Sequence, residues 1–362
     1  MKFDSFSSYI QRYQKGLPLL IAGPCSAESE SQVLSIAEQL TKNEKVHVFR
    51  AGIWKPRTRP GNFEGVGYEG LKWLKRVKAE YKLQICTEVA KPKHVEAALK
   101  EGIDILWLGA RTVSNPFSVQ EIADSLKGVD IPVFIKNPIN PDIHLWRGAI
   151  ERMSHSGVTK IAAIHRGFYP YEDTKFRNIP KWEIPIELKT KFQHLPMICD
   201  PSHISGNRDF IEEIAQKALD LNFDGLMVET HHTPDLALSD AEQQITPEQL
   251  AQIIRKLVIR HDEIDKKSSV IFNYREQIDS IDQQLMELLS QRMDVVKKIA
   301  FYKSEQNITI FQLRRWENII RTRSEWGKKL KLNAHFIEKI LELMHKESIQ
   351  IQNDIMNQTK EK

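Results

Sequence analysis

The sequence is poor in cysteine and lacks long apolar runs, and each absence excludes a class of protein. Its 362 residues include three cysteines, Cys25, Cys86 and Cys199, an odd and widely spaced set that does not suit a disulfide framework. No stretch approaches the roughly 18 apolar residues of a membrane helix, and the first residues contain no signal-peptide core. We therefore expect a cytoplasmic protein without a membrane partner.

Strong charge of one sign is also lacking. The formal net charge is +4, and no run of five or more basic residues occurs. A small positive net charge does not indicate a nucleic-acid partner, but it suits the binding of small anionic metabolites. The chain is long enough for two or three domains.

Short apolar runs alternate with amphipathic, helix-like stretches over the first 260 residues. The runs cover residues 18–23, 46–52, 83–89, 104–110, 132–137, 160–167, 195–202 and 225–231. Continuous apolar runs separated by helices indicate parallel strands that are buried on both faces. Eight such units predict a closed (β/α)8 TIM barrel rather than an open sheet.

The ends of the predicted strands carry chemically active side chains, among them His165 and Arg166 at the end of the sixth strand. In such barrels these ends meet at one mouth, where the active site lies. Taken singly, each residue has an ordinary explanation, such as a buried thiol for Cys25 or a solvated basic loop around Lys55. One set combines thiol, imidazole and carboxylate groups suited to a transition metal: Cys25, His203, Glu229 and Asp240. A second set is cationic and suits phosphates and a carboxylate: Arg50, Lys55, Arg57, Arg111, Lys136 and Arg166.

The motifs that carry these residues resemble a known family. They read AGPCS, FRAG followed by KPRT, GART, IKNP, HRGF, DPSH, MVETH and ALSDAEQQ, and they are similar to type I DAHP synthase in its short beta form. That family condenses phosphoenolpyruvate with erythrose 4-phosphate to give 3-deoxy-D-arabino-heptulosonate 7-phosphate and phosphate. The octulosonate 8-phosphate synthases also use phosphoenolpyruvate, but they carry a KANRS-like loop where this chain has KPRT.

The resemblance implies a role for each residue. A divalent metal (Mn²⁺, Fe²⁺, Co²⁺ or Zn²⁺) would be held by Cys25, His203, Glu229 and Asp240. Phosphoenolpyruvate would be bound by Arg111, Lys136 and Arg166, together with Arg50 and Lys55 at its carboxylate. Erythrose 4-phosphate would be bound by Lys55, Pro56, Arg57 and Thr58. We also expect Glu88, at the end of the third predicted strand, to position the attacking water.

The pattern changes after residue 260. Residues 261–269 are polar and predict a linker between a barrel at 1–260 and an all-helical domain at 270–362. Apolar residues at steps of three and four predict one helix of about 34 residues, then two more over about 312–326 and 334–357. A single helix of that length requires partners.

One cation interrupts the apolar seam of the long predicted helix. Arg292 occupies a position otherwise filled by isoleucine and leucine, which is costly unless an anion meets it in a salt bridge or a ligand. Lys303 lies on nearly the same face, whereas Arg275 lies about 25 Å back along the axis. An antiparallel copy would bring a second Arg275 close, so we expect an intertwined homodimer.

This segment resembles the all-helical chorismate mutase family through YREQIDSIDQQLMELLSQRMDVVKKIAFYK and LNAHFIEKILELMHKESIQIQ. The resemblance implies rearrangement of chorismate to prephenate, with a site formed by Arg292, Lys303, Arg315, Ser348, Gln352 and the other subunit's Arg275. Two positions depart from the family: Trp316 replaces the acid that accepts the chorismate hydroxyl, and Gln312 replaces a common aspartate.

The leading hypothesis is a bifunctional enzyme, DAHP synthase fused to chorismate mutase, acting in aromatic amino-acid synthesis. The alternative is that the helical domain mainly senses chorismate or prephenate and mediates dimerisation. Only about 17 residues precede the first predicted strand, too few for a separate regulatory domain, so feedback control would come from the helical segment.

Overall fold

The computed structural model describes residues 18–42, 46–55, 61, 63–171, 174–260 and 269–360. The chain divides into two compact units, Met1–Asp262 and Glu263–Lys362. In the described part of the chain, no helix combines the length and the apolar composition that a membrane crossing requires. The predicted linker lies outside the described residues except at Ser269, which already begins a helix.

The first unit is a closed barrel of eight parallel strands, which confirms the predicted (β/α)8 architecture. The strands are β1 (Leu19–Gly23), β2 (Val48–Arg50), β3 (Gln84–Val89), β4 (Ile105–Leu108), β5 (Val133–Lys136), β6 (Ile161–His165), β7 (Met197–Cys199) and β8 (Gly225–Glu229). Strand β1 pairs with β8 from Leu19 beside Gly225 to Gly23 beside Glu229, which closes the barrel.

Helices follow the strands and surround them. They are α1 (Glu30–Thr41), α2 (Tyr68–Tyr81), α3 (Pro92–Lys100), α4 (Ala110–Val113), α5 (Pro116–Ser125), α6 (Ile143–His155), α7 (Glu183–Lys191), α8 (Pro201–Ser205), α9 (Ile211–Asp220) and α10 (Pro247–Lys256). Local sequence sets their ends. Helix α10, for example, begins with a capping box between Thr246 and Gln249 and has Pro247 at its first position.

Strand side chains alternate between two apolar layers. Ile21, Trp107 and Phe134 belong to the layer inside the barrel, whereas Leu20 and Leu106 pack in the layer between strands and helices. Because both faces of each strand are buried, the strands appear in the sequence as continuous apolar runs.

His165 ends β6 but belongs to the outer layer. Its ring packs among Trp146, Phe168, Trp182 and Phe223, with centroid distances from 5.2 to 6.4 Å. The sequence grouped His165 with the residues at the barrel mouth, and that grouping is wrong, because alternation along the strand turns it away from the interior. Burial and the charge of Arg166 lower the pKa of His165 from 6.5 to about 3.

We expect this histidine to make the free energy of unfolding dependent on pH. The unfolded chain binds a proton at His165 below about pH 6.5, whereas the folded chain binds it only near pH 3, so stability is lost as pH falls through this window. At pH 4 the loss should be about 3 kcal/mol relative to pH 7. Urea denaturation at both pH values should show a smaller difference in His165→Gln. The exposed His155→Gln variant is the control, and an unchanged difference in His165→Gln would contradict the assignment.

The second unit consists of α11 (Ser269–Glu305), α12 (Leu313–Lys329) and α13 (Ala334–Lys360), which confirms the predicted helical segment. The long helix has 37 residues and packs along α13, which also packs against α12. Gly327 allows α12 to approach α13 closely, because a Cβ at this position would lie only 2.7 Å from Ile337 Cγ1. Apolar residues such as Ile278, Ile281 and Leu285 leave about half of their surface exposed on α11.

Candidate active sites

The barrel interior changes from apolar to charged toward the carboxyl ends of the strands. Arg50 lies two residues after Val48 of the inner layer, and Glu229 lies two residues after Met227. Because strand side chains alternate, residues at such positions also point into the barrel. The same spacing applies to Glu88, Lys136, Arg166 and Asp200. The charged residues therefore form one layer at the mouth, directly above the apolar core.

Three of the four predicted metal ligands form a compact group. Cys25, Glu229 and Asp240 each place one possible ligand atom within 4.8 Å of the others. Cys25 Sγ lies 3.1 Å from Asp240 Oδ2. The fourth, His203, lies beside the group, with Nδ1 at 3.7 Å from Glu229 Oε1 and 2.9 Å from Asp200 Oδ2.

The residues present fit a divalent transition metal. Burial, reinforced by the charge of Glu229, raises the pKa of the Cys25 thiol to about 12, so this thiol requires a nearby cation to ionise. Glu229 Oε1 and His203 Nδ1 are both buried and face charged neighbours, Arg50 at 3.0 Å from the first and Asp200 at 2.9 Å from the second. A thiolate with imidazole and carboxylate groups suits manganese, iron, cobalt or zinc.

Buried cations surround this group. Arg50 Nη2 lies 3.0 Å from Glu229 Oε1, and Lys136 Nζ lies 2.8 Å from Asp200 Oδ2. Arg50 and Lys136 are only 1% and 4% exposed, and a buried charge without a counterion would strongly destabilise the fold. Two further nitrogens of Arg50, Nε and Nη1, are buried and have no hydrogen-bond partner among the described residues. These donors are positioned for an anionic ligand.

Lys55 reaches the same group from the loop after β2. Its Nζ lies 2.9 Å from Cys25 Sγ and 3.0 Å from the Cys25 carbonyl oxygen. The rest of the predicted erythrose 4-phosphate site, Pro56, Arg57 and Thr58, lies outside the described residues.

The other predicted phosphoenolpyruvate residues also follow strands. Arg111 lies in α4, directly after β4. Arg166 follows β6, and its Nη1 donates a hydrogen bond to Asn178 Oδ1 at 2.7 Å, while Asn178 Nδ2 donates to the His203 carbonyl oxygen at 2.6 Å. Arg166 and His203 are therefore connected through one amide side chain.

Glu88 lies at the end of β3 and is 9% exposed. Its Oε2 accepts a hydrogen bond from Trp107 Nε1 at 3.2 Å. Gly109 provides the space for this carboxylate, because a Cβ at that position would lie 2.1 Å from Glu88 Oε1. The glycine and the tryptophan together hold the carboxylate at the barrel mouth.

Two residues that the sequence did not predict, Arg177 and Gln243, contact the predicted metal ligands. Arg177 Nη1 lies 2.8 Å from Asp240 Oδ1 and donates to Gln243 Oε1 at 2.7 Å, and Gln243 Nε2 donates to Glu229 Oε2 at 2.6 Å. Although burial opposes ionisation, Arg177 and Lys55 hold the pKa of Asp240 well below its usual range. Both missed residues lie outside the strands, where no periodic signal marks them.

Asp200 was also missed, although it belongs to the DPSH motif. It contacts Lys136 and His203 at once, and its Oδ1 accepts a hydrogen bond from the His203 backbone at 3.0 Å. Burial opposes its ionisation, but His203 and Lys136 hold the pKa of this carboxyl well below its usual range. Asp200 lies two residues after Ile198 of the inner layer, and this spacing could have indicated that it points into the barrel.

The helical unit contains a cavity with a volume of about 440 Å³. Its lining residues are Arg292, Val295, Val296, Ile299, Lys303, Ile310, Gln312, Arg315, Trp316, Ile319, Arg323, Leu341, Met344, His345, Ser348 and Gln352. Five of the six predicted mutase residues are therefore brought together within one chain. The sixth, Arg275, is absent from the lining and lies on an exposed turn of α11.

The cavity is cationic. Its cations are Arg292, Lys303, Arg315 and Arg323, and none of the lining residues is acidic. Arg292 Nη1 donates a hydrogen bond to Ser348 Oγ at 2.8 Å, and Lys303 Nζ donates to the Ile310 carbonyl oxygen at 2.7 Å. Among the residues that the structure describes, no carboxylate pairs with any of the four cations. Burial and the charge of Arg323 lower the pKa of Arg292, which is the effect expected when a cation lacks an anion.

Helix α12 presents both departures from the mutase family to this cavity. Gln312 and Trp316 line it, whereas Glu317 is exposed and does not. Arg323 was not among the predicted site residues. It lies on the same helix face as Trp316 and Ile319, at steps of three and four, and this spacing could have indicated it.

Comparison with known proteins identifies a family for each of the two parts of the chain. Residues 12–265 match the DAHP synthetase I family, and residues 274–353 match chorismate mutase type II. The chain is 32% identical over 242 residues to a phospho-2-dehydro-3-deoxyheptonate aldolase of Thermotoga maritima, which covers 66% of this chain and 68% of the relative. It is 29% identical over 262 residues to a 2-dehydro-3-deoxyphosphooctonate aldolase of Desulfotalea psychrophila, covering 66% of this chain and 88% of the relative.

Solved structures give the same result. The crystal structure of the DAHP synthase of Thermotoga maritima matches with a TM-score of 0.59 and 28% identity, over 67% of this chain and 68% of that one. A truncated form of 3-deoxy-D-arabino-heptulosonate 7-phosphate synthase from the same organism matches with a TM-score of 0.58 and 27% identity, over 67% of this chain and 85% of that one. The chain belongs to the DAHP synthetase I family and carries a chorismate mutase type II domain after its barrel.

Proposed function

We propose that the barrel condenses phosphoenolpyruvate with erythrose 4-phosphate and that the helical domain rearranges chorismate to prephenate. We place the barrel at 1–260, the linker at 261–269 and the helical domain at 270–362. The observation that carries the synthase assignment is the Cys25, Glu229 and Asp240 group beside buried cations. For the mutase, it is the cavity with four cations and no acid.

The metal would be held by Cys25, Glu229 and Asp240, with His203 as the fourth ligand. When bound, it supplies Lewis-acid polarisation of the aldehyde oxygen of erythrose 4-phosphate. Asp200 holds the His203 ring through Nδ1, and Gln243 holds Glu229, so both ligands are oriented by neighbours.

Phosphoenolpyruvate would be bound by Arg111, Lys136 and Arg166, with Arg50 and Lys55 at its carboxylate. The buried, unpartnered nitrogens of Arg50 support this assignment, because a carboxylate satisfies two such donors at once. The described part of the loop, which ends at Lys55, contacts Cys25 and so brings the substrate carboxylate close to the metal ligands.

The proposed reaction uses these positions. Carbon 3 of phosphoenolpyruvate forms the new carbon–carbon bond with the aldehyde carbon, as the electrons of the carbon 2–carbon 3 double bond move into it and the aldehyde oxygen becomes an alkoxide. Positive charge develops at carbon 2, where water adds and gives one proton to Glu88, and the alkoxide takes up one proton in balance. The carbon–oxygen bond to phosphate then breaks, the hemiketal hydroxyl gives its proton to the leaving phosphate as carbon 2 becomes the ketone, and Arg166 and Arg111 stabilise the charge on the leaving group.

Glu88→Gln tests the proposed position of this water. The amide keeps an oxygen for Trp107 Nε1 but loses the base, so we expect kcat of the synthase to fall about 10²-fold with little change in the KM for phosphoenolpyruvate. Phosphate release measures the rate. Gly109→Ala should give a related loss by displacing the carboxylate, and the exposed Glu96→Gln is the control. Unchanged turnover in Glu88→Gln would remove Glu88 from the mechanism.

In the helical domain, the proposed ligand contacts follow the cavity. Arg292, Lys303 and Arg315 would bind the two carboxylates of chorismate, while Gln352 would bind its ether oxygen and Ser348 would orient Arg292. The pericyclic rearrangement needs mainly a clamped conformation and stabilisation of the ether oxygen.

A homodimer would complete this site. A second α11 packed antiparallel would cover the exposed apolar face of Ile278, Ile281 and Leu285 and would bring the partner's cation at position 275 toward the cavity. The exposure of Arg275 on its own chain supports this arrangement.

A second candidate function is sensing. Trp316 and Gln312 line the cavity where acids are common in the family, which favours binding of chorismate or prephenate over fast turnover. In this case the helical domain would inhibit the barrel when its cavity is filled.

One preparation of the full-length chain distinguishes these functions. It should form 3-deoxy-D-arabino-heptulosonate 7-phosphate and convert chorismate to prephenate. Chelation should stop the first reaction alone, and added Mn²⁺, Fe²⁺, Co²⁺ or Zn²⁺ should restore it. Intact synthase activity without chorismate turnover would favour the sensor, and a synthase rate unaffected by prephenate would overturn the sensor.

A further inference from the structure

The cavity of the helical domain is lined by four cations and by no carboxylate, so the side chains that can accept a hydrogen bond in it are neutral. Its four cations can only donate hydrogen bonds. Two buried atoms of its lining residues, His345 Nε2 and Gln352 Oε1, have no hydrogen-bond partner within the described residues. A buried polar atom without a partner is costly, so a ligand that fills the cavity is expected to meet these atoms.

His345 faces the cavity together with other polar residues. His345, Ser348 and Gln352 follow each other on α13 at steps of three and four, so they share one helix face. Burial and the charge of Arg292 lower the pKa of His345, which favours the neutral ring. A neutral imidazole has one nitrogen that accepts a hydrogen bond.

Aromatic contacts fix the ring of His345. Trp316 stacks on it with a centroid distance of 3.9 Å and an interplanar angle of 18°. Phe311, just before α12, contacts the ring from another side at 5.8 Å and 59°. Trp316 stands where the family has an acidic residue. In this chain, therefore, the cavity lacks that acid and has instead an imidazole held in place by Trp316.

We propose that His345 Nε2 accepts a hydrogen bond from the ring hydroxyl of the ligand, and that Trp316 is a positioning residue that holds the imidazole in place. This inference rests on the proposed binding of chorismate or prephenate in the helical domain. Both ligands combine two carboxylates with one hydroxyl. The four cations match the carboxylates, whereas the hydroxyl requires an acceptor that no cation provides.

The test compares chorismate with its analogue that lacks the ring hydroxyl, using the full-length protein. His345→Phe keeps an aromatic ring against Trp316 but removes the acceptor. We expect kcat/KM for chorismate to fall about tenfold and kcat/KM for the analogue to stay within about twofold. Trp316→Leu should reduce the same preference for chorismate, and Trp316→Phe should retain it. The exposed His335→Phe, on the same helix, is the matched control.

A structural role for His345 would lower both values equally, and this result would overturn the inference. So would an unchanged preference for chorismate in His345→Phe. If the wild-type protein rearranges neither compound, the proposed mutase activity fails on its own, and calorimetry with prephenate and its deoxy analogue makes the same comparison. The hydroxyl should then improve binding about tenfold in the wild type and not in His345→Phe.

Discussion

Arg292→Ala is expected to lower chorismate turnover about a thousandfold, on the order of 4 kcal/mol of transition-state stabilisation, and to leave the synthase unaffected. Arg292 Nη1 is held by Ser348, which directs the guanidinium at the cavity. With no acid in the lining, its charge is available to a ligand carboxylate. Alanine removes this contact without leaving an acidic partner unpaired.

Prephenate formation and synthase activity should be measured on the same preparation. Lys298→Ala is the matched control, because it removes an exposed cation of the same helix that does not line the cavity. Arg292→Lys should recover little, since an ammonium cannot make the bidentate contact of a guanidinium. Loss of the contact between Arg292 and a ligand carboxylate should lower turnover about a thousandfold. Chorismate turnover by Arg292→Ala within about twofold of the wild type would therefore contradict the mutase assignment.

Cys25→Ala is expected to abolish both metal retention and synthase activity, with a loss of at least about 10³-fold in rate. The thiol would be the soft ligand of the group, and it lies 3.1 Å from Asp240 Oδ2 and 2.9 Å from Lys55 Nζ. Alanine leaves carboxylates and one imidazole, which bind late transition metals less tightly than a set that includes a thiolate. Chorismate turnover in the same sample should be unchanged, which shows that the helical unit has folded, and circular dichroism should show that the barrel has folded.

The control for Cys25→Ala is Cys199→Ala. Cys199 is also fully buried, but it packs in the layer between strands and helices and is absent from the metal-ligand group. Metal content by elemental analysis should fall only in the first variant. Equal metal content and rate in both variants would show that the metal is held by other residues.

The sequence determined most of the fold because its signals are local and repeated. Strands buried on both faces appear as continuous apolar runs, so all eight strands were predicted within a few residues of where they lie. Arg292 was found because one cation interrupts a regular apolar seam. The motifs at the strand ends identified the family without any knowledge of distances.

The sequence did not identify side chains whose roles depend on contacts far along the chain. Arg177 and Asp240 are 63 residues apart and meet only because the barrel brings two loops to one mouth. His165 was grouped with the site, although strand alternation turns it outward. Arg323 and His345 enter the mutase cavity only when α12 and α13 pack together.

By itself, then, the sequence determined the closed barrel, the helical domain and the kinds of residue at each site, because periodicity and motifs are properties of neighbouring positions. Tertiary structure decided which of these residues meet. It brought one possible ligand atom from each of Cys25, Glu229 and Asp240 within 4.8 Å of the others. It also stacked the ring of Trp316 on that of His345. These pairings depend on how strands close and helices pack, and residues distant in sequence carry no local trace of that geometry.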